Sequence, residues 1–90
     1  MAVLYKVNGE KVDVRPKNGK DFKLEELREL LHCDWVEVAH MPRDGHFFLV
    51  DEEGKLTGKP LNVRATKIYS YYYNDYIVGD ALLCSPTEFK

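Results

Sequence analysis

The run LEELRELLHCDWVEVAH, residues 24–40, changes period partway along, and that change decides the fold class. Leu24, Leu27, Leu30 and Leu31 recur at helical spacing while Glu25, Glu26, Arg28 and Glu29 take the other side, so the first half predicts an amphipathic helix. At about two to three turns such a helix is marginal alone, and its leucine stripe must pack on a sheet. From Asp34 to His40 the residues turn β-type, and Phe47-Phe48-Leu49-Val50 follows, apolar on both faces in the manner of a central strand. Between them Pro42-Arg43-Asp44-Gly45 predicts a loop.

Upstream, Ala2 to Asn8 and Glu10 to Arg15 flank Asn8-Gly9, a strong tight-hairpin signal. A two-residue turn there pairs Val7 with Glu10, Tyr5 with Val12 and Val3 with Val14. It collects Val3, Tyr5, Val12 and Val14 on one face and sets Lys6 against Lys11 on the other, which is therefore expected to be exposed or to await an acidic neighbour. Downstream, Asp51-Glu52-Glu53-Gly54 reads as a charged turn, and Lys55 to Leu61 as an extended connection punctuated by Gly and Pro. Asn62 can cap a short helix running through Arg64 to Ile68. Tyr76 to Cys84 then reads as a strand interrupted at Gly79-Asp80, and Ser85-Pro86 ends it. The chain is therefore expected to form one α+β domain. Its small, mostly antiparallel sheet, an N-terminal hairpin with two or three further strands, packs against one amphipathic helix and carries a short second helix.

Composition narrows function by exclusion. Ninety residues suit a single core, and 44% hydrophobic residues with six Tyr, four Phe and one Trp exclude frank disorder. A net charge of −2 disfavours nucleic acid as a partner, the basic run at Lys11, Arg15, Lys17, Lys20 and Lys23 being offset by Glu25, Glu26 and Glu29. Two distant cysteines, Cys33 and Cys84, do not form a disulfide framework, and Met1 to Val7 lacks the features of an export signal. A cytoplasmic location without membrane association is expected. His32, Cys33, His40, His46 and Cys84 lack the paired short spacing of a zinc site, and no Gly-Lys-Ser/Thr phosphate loop follows Gly54 or Gly58. Neither a catalytic residue nor a cofactor is expected.

Phe22 to Leu27, Asp51 to Leu56, Pro60-Leu61-Asn62, Ala65-Thr66 and Tyr76 to Asp80, taken in order, resemble the domain of unknown function 3846. The resemblance implies a small protein of a phage, plasmid or other mobile element, and no particular reaction. Relatives tend to carry a Thr at the position of Lys23, forming a capping box with the Glu at Glu26. The substitution leaves Asp21 as the alternative cap. Relatives also tend to have a Gly-rich turn where this chain reads His32-Cys33-Asp34-Trp35.

The most distinctive local feature is the density of Tyr69, Tyr71, Tyr72, Tyr73 and Tyr76, more rings than so small a core absorbs. With Asn62, Arg64, Thr66 and Lys67 they form the candidate binding segment. Exposed Tyr favours protein contact, and it also stacks on nucleotide rings. The leading expectation is a non-enzymatic protein-binding protein, with a host factor as partner on the family resemblance. A small-ligand or nucleotide binder is the alternative, and an enzyme comes third.

Overall fold

The computed structural model describes residues 2–41, 45–70, 75–87 and 89. Five strands and two helices follow in the order β1 (Ala2–Tyr5), β2 (Lys11–Val14), α1 (Leu24–Leu31), β3 (Val36–His40), β4 (Phe47–Asp51), α2 (Val63–Tyr69) and β5 (Ala81–Cys84). The strands make one antiparallel sheet in the order β2-β1-β5-β4-β3. Because β2 and β3 lie at opposite edges, α1 joins one edge to the other and covers the face between them.

On that face Leu27 and Leu31 meet Ala2, Leu4, Phe47, Leu49, Leu82 and Cys84. Each buried Leu contributes about 1.5 to 3 kcal/mol by leaving water. Leu24 remains exposed, and its share of the core passes to Phe22, which is buried just before the helix. Phe22 and Leu27 hold the two positions of a hydrophobic staple. The helix starts at Lys23 with no side-chain cap; Asp21 instead accepts from Asn18, and the Glu26 carboxylate accepts the Lys17 N–H at 3.2 Å. At the other end His32 adopts φ 51°, a left-handed conformation that a Gly takes more easily.

The second face carries Tyr5, Phe48, Val50, Ala81 and Ile77 under Ala65 of α2, with Tyr5 edge-on to Phe48 at 6.1 Å. Thus β4 alternates between the two cores, Phe47 and Leu49 on one side and Phe48 and Val50 on the other. It is an interior strand, as its composition predicts, although the middle position belongs to β5.

The hairpin register differs from the expected one. Leu4 pairs with Val12 and Tyr5 with Lys11, and Lys6 bonds Glu10 rather than opposing Lys11. The loop holds three residues, Val7-Asn8-Gly9, closed by Gly9 N–H to the Lys6 carbonyl at 3.0 Å with Gly9 at φ 95°. One residue of slip exchanges the faces. Val14 and Val12 consequently share the α1 side with Ala2 and Leu4, whereas Val3 and Tyr5 point to the α2 side.

Residues 52–58 form successive turns instead of an extended connection. Leu61 bridges to Val78 before α2 begins. Pro42, Arg43 and Asp44 of the expected loop lie outside the described residues, as do Tyr71, Tyr72 and Tyr73. Cys33 and Cys84 are not joined in a disulfide. Among the described residues no helix is long and apolar enough to cross a membrane.

Candidate functional site

The Asp51 side chain begins the site by turning the chain out of β4. Its Oδ1 accepts the Glu53 N–H at 2.9 Å and its carbonyl accepts Gly54 N–H at 3.1 Å. A Cβ at Gly54 would lie 3.0 Å from Val78 Cγ2, so Gly lets the turn lie flat against the next segment where any side chain would require Val78 to give by a few tenths of an ångström. Thr57 N–H and Oγ1 both donate to the Glu53 carbonyl, which tightens the projection carrying Lys55 and Leu56.

Lys59 fixes the far end of the turn. Its Nζ lies 2.9 Å from Asp51 Oδ2 and donates to the carbonyls of Leu31 and His32 at 3.0 Å each. One ammonium therefore satisfies the end of α1 and a nearly buried carboxylate together.

On one flank of this turn Trp35 and Leu56 line a shallow groove with Glu52 and Glu53. Trp35 is 57% exposed and Leu56 87%. The Trp35 carbonyl accepts Glu52 N–H at 2.9 Å, and the Arg28 guanidinium sits 5.8 Å from the indole centroid while its Nε donates to the Asp34 carbonyl. The indole is thus held by its backbone and by a cation while its outer face meets water.

The other flank is a cleft of about 280 Å³ whose lining includes Glu37, Glu52, Lys55, Tyr69, Asp75 and Tyr76. Ala39 and Val50 also border it. Lys55 Nζ contacts Asp75 Oδ1 at 2.8 Å and lies 4.2 Å from the centroid of the Tyr76 ring. The Lys55 hydrogen bond, with a second from Tyr76 N–H, holds the Asp75 carboxyl below its ordinary range; the Asp75 hydrogen bond raises Lys55. Both groups face water, so the pair adds little stability.

The candidate residues of the Tyr-rich segment divide by environment. Asn62 is fully buried, with Oδ1 accepting Ala65 N–H at 3.1 Å and Nδ2 donating to the Tyr5 and Gly79 carbonyls at 2.8 and 2.9 Å. The predicted cap is present, and it also joins α2 to the sheet. Thr66 Oγ1 donates to the Ile77 carbonyl and accepts Ile77 N–H, so this hydroxyl is engaged as well. Arg64 and Lys67 are exposed along α2. Tyr69 and Tyr76 come together at the cleft.

Trp35 and Leu56 are not apparent from the Tyr-rich segment, but a signal exists. Leu56 is a lone apolar residue within Asp51 to Lys59, where no period can carry it into a core, and Trp35 follows Asp34 at a helix end. Burial pushes the Cys33 thiol up, assisted by the Asp51 carboxylate, which is the reverse of an activated nucleophile. Among the described residues no group of three His, Cys, Asp or Glu side chains could hold a metal ion.

No curated protein and no solved structure shows significant similarity to the chain. The family model described as "Domain of unknown function (DUF3846)" matches residues 1–89, and the chain belongs to that family.

Proposed function

We propose that the protein is a non-enzymatic binding protein that acts by protein–protein contact through the face formed by Trp35, Leu56 and Tyr76. The observation that carries this reading is the pairing of a 57% exposed Trp with an 87% exposed Leu on a pinned turn. Large side chains in contact with water cost free energy that a partner recovers, and Trp and Tyr dominate interface energetics. The carboxylates of Glu52 and Glu53 beside them supply a polar rim. A phage or other mobile element as source, and a host factor as partner, are the setting that the family resemblance suggests.

The small-ligand alternative is less well supported. The cleft, at about 280 Å³, falls just short of the ligand-pocket range, and its lining of Glu37, Asp51, Glu52 and Asp75 against Lys55 would repel the phosphates of a nucleotide. The test compares quantitative pull-downs from host lysate by the native chain with those by Trp35→Ser and Leu56→Ser, using Val12→Ser on the exposed edge strand as control. The contact reading expects the same protein to be lost from both site variants and kept by the control, with stability moving by only about 0.5 kcal/mol. Retention by both site variants, or a stoichiometric small molecule in the native mass spectrum, would overturn it.

A further inference from the structure

We infer that the segment docking on this face is basic: an Arg or Lys side chain enters the cleft beside Tyr76 while an apolar neighbour covers Trp35 and Leu56. The inference rests on the protein-contact reading and specifies the chemistry of the partner. Its first support is charge. Glu37, Asp51, Glu52 and Asp75 line the cleft with Lys55 as the one cation among the described lining residues. Asp51 is committed to Lys59 and Asp75 to Lys55, which leaves Glu37 and Glu52 as exposed carboxylates without a salt bridge in the described structure. An anionic ligand would meet repulsion there, and a cation would meet attraction.

The second support is the position of Lys55. Its ammonium, 2.8 Å from Asp75 and 4.2 Å from the Tyr76 centroid, already has the contacts that an incoming cation would make. Lys55 is exposed and beside Leu56 on the turn, so it can move aside without disturbing the core. A guanidinium suits the vacated position better than an ammonium, because it stacks on an aromatic face and still offers forked donors to carboxylates.

Third, Glu52 borders both the cleft and the Trp35–Leu56 groove, so one short segment reaches both. The apolar groove supplies contact area and the acidic cleft supplies register and choice of partner.

The probe is the capped pentapeptide Gly-Arg-Leu-Arg-Gly, compared with its twin carrying Glu in place of Arg, each titrated into the ¹⁵N-labelled full chain. Saturable amide shifts at Glu52, Lys55, Leu56 and Tyr76 are expected with the Arg peptide below about 10 mM, the weak affinity of so small a probe. The Glu twin should leave these signals in place. Glu37→Gln with Glu52→Gln, both at exposed positions and checked for a folded spectrum, should weaken the Arg peptide by about threefold or more.

Equal shifts from both peptides would overturn the cationic assignment and leave the Trp35–Leu56 contact standing. No shift at the cleft, or unchanged affinity in the double Gln variant, would also overturn it. If the lysate partner survives both Trp35→Ser and Leu56→Ser while the Arg peptide still binds the native chain, the contact reading fails by itself. Dilution-dependent shifts at the cleft together with Arg15 and Lys17 would identify a second copy as occupant and reject a separate basic partner.

Discussion

Replacing Asn62 by Ala tests whether one buried amide holds the second face together. The wild-type side chain caps α2 through Ala65 N–H and satisfies the carbonyls of Tyr5 and Gly79, all at a fully buried position. Loss of the cap costs about 1 kcal/mol. Each stranded carbonyl adds about 1 kcal/mol at the low end of the desolvation range. The sum is about 3 kcal/mol, a large part of the roughly 5 to 13 kcal/mol available to a chain of this length. With m of about 1 to 1.5 kcal/mol/M in urea, the midpoint should fall by about 2 to 3 M. Far-UV circular dichroism across a urea series reads it directly.

Asn62→Asp refines the test. The carboxylate keeps an acceptor for the cap but opposes two carbonyl oxygens, so its protonated form is favoured in the native state and its pKa rises on folding. Between the unfolded and folded values the native state binds more protons, so stability falls as pH rises through that window. The variant should therefore recover stability on acidification relative to Asn62→Ala. A loss below about 1 kcal/mol for Asn62→Ala, or an Asp variant whose deficit does not change with pH, would refute the assignment of these hydrogen bonds.

Two further outcomes follow from the Lys59 junction. Lys59→Met keeps the apolar stem but leaves Asp51, 8% exposed at its side chain, without its ammonium; a cost of about 2 kcal/mol is expected by urea melt, and much of it should disappear in an Asp51→Asn background. In the native chain Cys33 should alkylate with a midpoint above that of ordinary cysteine, because burial foremost and then Asp51 disfavour the thiolate; Lys59→Met should raise that midpoint further and Asp51→Asn lower it, read by pH-dependent iodoacetamide labelling and mass spectrometry.

Elements governed by neighbouring residues were legible in the sequence. The Leu27–Leu31 stripe, the doubly buried Phe47 to Val50 strand and the Asn62 cap each depend on spacing within a few positions. The hairpin register was not, because Asn8-Gly9 serves either a two- or a three-residue loop. The choice between them depends on remote packing: in the observed register Val14 enters the α1 core and Tyr5 meets Phe48 across the other face. The candidate site was legible only at its edge, in Tyr69 and Tyr76. Lys59 meets the end of α1 from 28 residues away and Asn62 meets Tyr5 from 57, distances at which local pattern carries no information.

The residues that hold the structure and those that face a partner are separate, and the separation bears on binding. Asn62, Thr66 and Lys59 direct hydrogen bonds to backbone groups of neighbouring segments and Gly54 lies close against the Val78 side chain, fixing the 52–62 and 75–79 stretches against the sheet. Leu56, Lys55 and Tyr76 project from those stretches without belonging to a core cluster. Their backbone is already ordered before a partner arrives, so association costs mainly side-chain freedom. A Trp or Tyr ring has few rotatable bonds to restrict, whereas Lys55 and the rim glutamates have several. Aromatic contacts should accordingly dominate affinity on this face, and the carboxylates should act chiefly on partner choice and association rate.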